Sequence, residues 1–136
     1  MAIDVVAGLI FEGDRVLVCQ RKETGPFPLK WEFPGGKVER GEDPQVALNR
    51  ELKEELGVKI QSASEIFRHR HAYPNGLEVE LIFFRVEKYR GPIRNRSFHR
   101  LLWAEAERLK ELDFLEGDLP LIDKLTRGEL HHRSPC

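Results

Sequence analysis

Residues 36–58, GKVERGEDPQVALNRELKEELGV, constrain this chain more than any other stretch. Asp43-Pro44 is a helix start, with an aspartate as N-cap and a proline at the first helical position. Leu48, Leu52 and Leu56 recur every four residues and predict an apolar stripe, and Gly57 supplies the terminating glycine. Glu51, Glu54 and Glu55 fall on the rest of the helix surface, within one turn and a half. Like charges three and four apart destabilise a helix by a few tenths of a kcal/mol per pair, roughly. A solvated charged face is the commonest use of such a run. Its other use is to hold a hard divalent cation through oxygen ligands.

A chain of 136 residues predicts one domain, spanning 1–136, with enough length to bury a core. The hydrophobic share of 40% and the charged share of 33% are those of a soluble globular protein. The formal net charge of −1 gives no global attraction to nucleic acid or to a membrane surface. Basic residues do gather in RHRH at 68–71 and RNRSFHR at 94–100, as loop and strand-edge charge or as a rim attractive to phosphate. Cys19 lies in an apolar run and Cys136 is the last residue, so no metal spacing arises and a disulfide between them is not expected. That usage, with no signal-peptide pattern and no apolar run near 20 residues, predicts a cytoplasmic protein without a membrane partner.

Residues 3–11 and 15–20 are apolar and β-branched around the turn Glu12-Gly13-Asp14, which predicts a hairpin. Residues 21–30 carry Gly25, Pro26 and Pro28 and predict a loop. A short strand over 31–36 leads into the glycine turn and the helix from Pro44. Strands follow over 58–70, 77–86 and 101–103, then helices over 104–112 and 119–125, with 88–98 irregular. The order β-β-β-α-β-β-β-α-α predicts the α/β class, a mixed sheet with helices on both sides.

Placed in full, Gly36, Glu42, Arg50-Glu51-Leu52, Glu54-Glu55 and Gly57-Val58 match the pattern G-x5-E-x7-R-E-U-x-E-E-x-G-U, U being aliphatic. This is the Nudix box, and the chain resembles the Nudix hydrolases, which cleave nucleoside diphosphates linked to another moiety. The resemblance implies an α/β/α sandwich over nearly the whole chain. It implies that the Gly35 carbonyl and Glu51, Glu54 and Glu55 hold Mg²⁺ or Mn²⁺. Glu51 or Glu54 would orient or deprotonate the attacking water, with Arg50 holding a carboxylate in place. Glu42 is either a further ligand or an acid favoured by the helix dipole. WEFPGGKVE at 31–39 looks like the MutT-type group, which converts nucleoside triphosphates to monophosphates and pyrophosphate. By that resemblance Arg21, Phe33, Gly36, Tyr73 and Asp118 bind the nucleotide, a small-molecule substrate, with Asp118 reading the base. Neither a stable nucleic-acid complex nor any assembly beyond monomer or homodimer is implied.

Two departures bear on specificity. The 8-oxo-dGTP enzymes of this type usually carry Asn where this chain has Asp118, and an ionised carboxylate can only accept hydrogen bonds. Many relatives also carry a loop glutamate that helps hold metal, whereas residues 88–104 contain no acid here and His99 is the nearest substitute. An 8-oxo-dGTP diphosphatase is the leading expectation. A cytidine-triphosphate pyrophosphohydrolase, an RNA 5′-pyrophosphohydrolase and a catalytically silent nucleotide sensor are its rivals. The intact box argues against the last.

Overall fold

A computed structural model describes residues 2–130, so Cys136 lies outside the described residues. Strand β1 (Ile3–Glu12) turns into β2 (Arg15–Gln20). Two short strands, β3 (Trp31–Glu32) and β4 (Gly35–Lys37), precede α1 (Pro44–Leu56). Then come β5 (Lys59–Ala72), β6 (Glu78–Arg90), β7 (Arg100–Glu105), α2 (Ala106–Leu109), a 3₁₀ turn (Glu116–Asp118) and α3 (Leu119–Thr126).

The sheet is mixed. β1 runs parallel to β6 from Ile3↔Val79 to Ile10↔Val86, and β5 adds antiparallel to β6. On its other side β1 pairs antiparallel with β4 through Val5–Ala7, and with β2 only at the hairpin end, Phe11↔Val16. β2 therefore diverges from β1 and pairs instead with β3 and β7.

Strand alternation sends two sets of side chains to opposite faces. Val6, Ile10, Ile82, Phe84 and Val86 pack with Leu48, Leu52 and Leu56 of α1. Leu9, Val79, Leu81 and Phe83 pack with Leu121, Ile122 and Leu125 of α3. The three leucines of α1 are fully buried, as their spacing predicted. Gly8 faces them from β1, where an added Cβ would lie 3.2 Å from both Leu48 and Leu52. The helix is thereby drawn close to the sheet. Asp43 caps α1 by accepting from the Gln45 N–H at 2.9 Å, and Gly57 ends it at φ 73° with its N–H on the Lys53 carbonyl.

The α/β class and the mixed sheet with helices on both faces are as the sequence implied. The larger differences lie at three elements. The strand over 31–36 is two strands with different partners, because Pro34 interrupts it. β6 continues to Arg90, held by pairing with β5. The helix over 104–112 shrinks to four residues, because Ala104 and Glu105 extend β7 against Val16 and Arg15.

Candidate active site

Glu51 and Glu55 of α1 face the glycine strand β4. Glu55 accepts the Gly35 N–H at 3.0 Å. A Cβ on Gly36 would overlap the Glu51 carboxyl group, so Glu51 lies directly against the glycine. Arg50 ties the region together. Its Nε and one terminal nitrogen form a two-pronged contact with Glu42, both at 2.9 Å. It also donates to Glu51 at 3.0 Å and to the Lys37 carbonyl at 2.9 Å. Its distance to Glu54, the helical neighbour four residues on, is 3.9 Å. Glu42, which precedes the helix, is thus the principal partner of Arg50 rather than a dipole-favoured acid in the first turn.

The charges are unevenly compensated. Hydrogen bonds from Arg50 and then from the Glu39 N–H hold Glu42 down to about 2. Burial pushes Glu51 up, opposed by Arg50. Burial also raises Glu55 to about 8, reinforced by the charge of Glu32 and opposed by the Gly35 hydrogen bond. Glu54 is exposed. Among the described residues no three acid, histidine or cysteine side chains already converge as an ion-binding cluster. Glu51 and Glu55 nevertheless form a hard-oxygen set, and among the described residues Glu55 has no basic side chain bonded to it. A divalent cation fits that deficit.

From this acidic corner a cavity of ≈ 360 Å³ extends across the sheet edge. Its walls include Arg21, Phe33, Gly35, Gly36, Glu55, Tyr73 and Asp118. Arg21 pairs with Glu32 at 3.0 Å. Phe33 is buried with its ring edge against Phe83. The Tyr73 hydroxyl accepts the Gly117 N–H at 3.2 Å and so pins the 3₁₀ turn that ends at Asp118.

Asp118 begins α3 without capping it. Its carboxyl group is buried and accepts from the Phe33 N–H. Burial pushes it well above the usual carboxylate range, the Glu32 charge adds to that, and the Phe33 hydrogen bond opposes it. The shift is toward the protonated form, in which the group can donate as well as accept, whereas the ionised form considered from the sequence only accepts.

The two basic runs do not line this cavity. Arg68 and Arg70 pair with Glu65, Glu78 and Glu80 on the β5–β6 ribbon. The Arg96 side chain lies on Gly57, and its N–H bonds the Glu55 carbonyl at 3.0 Å. Ser97 and Phe98, not His99, share a smaller recess with Glu32 and Glu55. His99 is exposed, and its backbone N–H bonds the Gln20 carbonyl. Nothing in its contacts makes it a replacement for a loop acid.

The NUDIX domain family model matches residues 1–125. The chain belongs to the Nudix family. It is 35% identical to an 8-oxo-dGTP diphosphatase of Haemophilus influenzae, an alignment covering 96% of this chain and 95% of that one. It is 31% identical to a CTP pyrophosphohydrolase of Escherichia coli, covering 89% of each. Among solved structures, the Escherichia coli ORF135 protein superposes with a TM-score of 0.81 at 29% identity, over 93% of this chain and 89% of that one. A MutT structure from a study of the Aliivibrio salmonicida and Vibrio cholerae proteins superposes with a TM-score of 0.78 at 26% identity, covering 94% and 99%.

Within this Nudix fold, Glu32 and Phe27 are among the cavity residues that carried no assignment from sequence. Glu32 is mostly buried between Trp31 and Phe33, and burial raises it while Arg21 opposes that. A charged residue between two aromatics in a strand was its only signal. Phe27 sits in the 21–30 loop, where composition indicates irregular backbone and says nothing of side-chain direction.

Proposed function

We propose that the chain is a MutT-type pyrophosphohydrolase that converts oxidised purine nucleoside triphosphates, 8-oxo-dGTP foremost, to the monophosphate and pyrophosphate. It uses Mg²⁺, with Mn²⁺ as a substitute, and residues 1–136 act as one Nudix unit. The observation that carries this is one cavity with two unlike ends. Glu55 and the glycine strand form one, and the buried Asp118 beside the Phe33 N–H forms the other. The names of the Haemophilus and MutT relatives point the same way.

The acidic end handles phosphate. Glu51, Glu54, Glu55 and the Gly35 carbonyl would hold the metal, which supplies charge neutralisation and a more acidic water. Arg50 fixes Glu51 by a short bond, and Glu42 fixes Arg50. Glu51 or Glu54 orients the attacking water and takes its proton. Arg21, anchored on Glu32, supplies positive charge beside the phosphates. At the other end Phe33 and Tyr73 enclose the base. Burial pushes Asp118, held by the Phe33 N–H, toward its protonated form, and in that form its carboxyl can both donate to and accept from a purine edge.

A cytidine-triphosphate hydrolase is the second reading, favoured by the CTP pyrophosphohydrolase relative. Measuring kcat/KM for 8-oxo-dGTP, dGTP, dATP, dCTP and CTP with Mg²⁺ decides between them. The expected result is highest efficiency on 8-oxo-dGTP, with ¹⁸O from water in the monophosphate or pyrophosphate. A preference for CTP, or label in released orthophosphate alone, overturns the proposal.

A further inference from the structure

The loop from Arg21 to Lys30 is irregular but closely held. Arg21 N–H bonds the Lys30 carbonyl at 2.8 Å and closes the neck. The Gln20 side chain bonds the Leu29 carbonyl at 3.1 Å, and the Arg21 Nε bonds the Pro26 carbonyl at 3.0 Å. Within this loop are two non-glycine residues of positive φ, Phe27 at 53° and Leu29 at 61°. Phe27 is the more unusual. It precedes Pro28, and a residue before proline is driven toward extended backbone. Left-handed non-glycine residues persist only where the surrounding structure over-determines them, and they cluster at ligand clamps.

The strained backbone puts the Phe27 ring over the cavity. The ring packs on Tyr73 with centroids 5.1 Å apart and planes at 49°. The Arg21 guanidinium lies 6.0 Å from its centroid. Both Phe27 and Pro26 line the same cavity as Phe33 and Asp118. The ring is half-buried, whereas Leu29, the other strained residue, is exposed and lines no part of that cavity. A core aromatic needs neither an exposed loop nor a disfavoured backbone to be buried. An aromatic offered to a planar ligand gains from both, because a half-buried ring on the cavity wall is not wholly enclosed by the core.

We propose that Phe27 is a base-stacking residue, presented with Tyr73 to the face of the nucleobase whose edge is read at Asp118. This rests on the nucleotide reading above and adds a contact that no part of the Nudix box supplies. Because every base has a π-face, the contact contributes to affinity for all bases and little to choice among them.

The test is equilibrium binding of dGMP and 8-oxo-dGMP, without turnover, to the wild type and to Phe27→Ala, Phe27→Leu and Phe27→Tyr. Base–aromatic stacking lost to alanine weakens binding roughly 5- to 150-fold. Phe27→Ala and Phe27→Leu should both show such a loss on both nucleotides. Phe27→Tyr should stay within about three-fold of wild type, since its ring keeps the π-face. Inhibition by inorganic pyrophosphate, which has no base, should not change in any variant. Wild-type affinity in Phe27→Leu would overturn the proposal, because it would reduce Phe27 to apolar packing on Tyr73. A parallel loss of pyrophosphate inhibition would overturn it too, since the cleft as a whole would then have been disturbed. A wild type that binds neither monophosphate would instead remove the nucleotide reading itself.

Discussion

Glu55 makes the sharpest demand on the protein, and Glu55→Gln separates what it does for stability from what it does for catalysis. Its carboxyl is raised from 4.5 to about 8, chiefly by burial. At 1.36 kcal/mol per pH unit the full displacement is worth about 5 kcal/mol. The side chain is partly accessible, and solvent screening reduces the figure to about 2–3 kcal/mol. The sign follows from linkage. In the unfolded chain Glu55 ionises near 4.5, while in the folded chain it stays protonated until about 8. The folded state therefore binds more protons in that window, and stability falls as pH rises through it. A glutamine cannot ionise, and its amide oxygen still accepts the Gly35 N–H. Urea or thermal melts in EDTA should show wild type and variant nearly equal at about pH 4.5, below the displaced ionisation. By pH 8 the variant should be more stable, with a melting temperature higher by on the order of 5–10 °C. Saturating Mg²⁺ should reverse that order, because a cation bound only by the folded wild type stabilises it by mass action. Turnover should meanwhile fall by orders of magnitude, since metal-assisted charge stabilisation supplies several kcal/mol, about 3 or more. Parallel pH profiles, or a variant less stable than wild type at pH 8 in EDTA, would refute the reasoning.

Gly36→Ala should displace Glu51, because the new Cβ overlaps its carboxyl group. A misplacement of this kind costs about 100-fold in kcat, which steady-state kinetics beside a melting curve would distinguish from unfolding. Arg50→Lys keeps the charge but loses the two-pronged contact with Glu42. Its activity should drop roughly 10- to 100-fold, as is usual for groups that orient ligands, and titrating Mg²⁺ should show weaker metal dependence. Asp118→Asn should preserve selectivity for 8-oxo-dGTP over dGTP, because the protonated acid toward which burial pushes Asp118 and an amide both donate and accept. In the wild type that selectivity should decline as rising pH ionises Asp118, while the Asn variant stays flat. A kcat/KM ratio that changes identically in both across pH 6–10 would contradict this.

The part of the site that lies on α1 was legible because its signals are local. A four-residue leucine period, an Asp-Pro start and a terminal glycine fix the helix, and with it the face on which Glu51 and Glu55 sit. Arg50 was harder. Helical spacing offers Glu54 as its partner, yet the 37–43 segment brings Glu42 closer from outside the helix. The Glu32 environment is less accessible still. Its burial depends on β3 pairing with β2, and on Trp31 bridging to Phe114 more than eighty positions away. The upward shift of Asp118 was hidden for the same reason, since a sequence shows neither its burial nor the charge of Glu32 near it. The shortened α2 shows tertiary pairing overriding local preference, since AEAERL favours a helix but Arg15 and Val16 claim its first residues for the sheet.

Taken together, the charges of the cavity say how a polyanion can enter it. Its walls carry the acids Glu32, Glu55 and Asp118 against the bases Arg21 and Lys37. Burial raises all three acids toward neutrality. Ionising them together with a triphosphate nearby would add repulsion to the cost of desolvation. The three escape that cost by different routes. Glu32 has Arg21 as a fixed counter-charge. Asp118 can keep its proton, and its donor–acceptor character depends on keeping it. Among the described residues Glu55 has only the Gly35 N–H as a bonded partner, so its ionised form is the one a bound cation would favour most. Unequal compensation is what separates the two ends of the cleft: Glu55, at the end that handles phosphate, has no base bonded to it among the described residues, and Asp118, at the end that reads the base, is pushed toward its uncharged form.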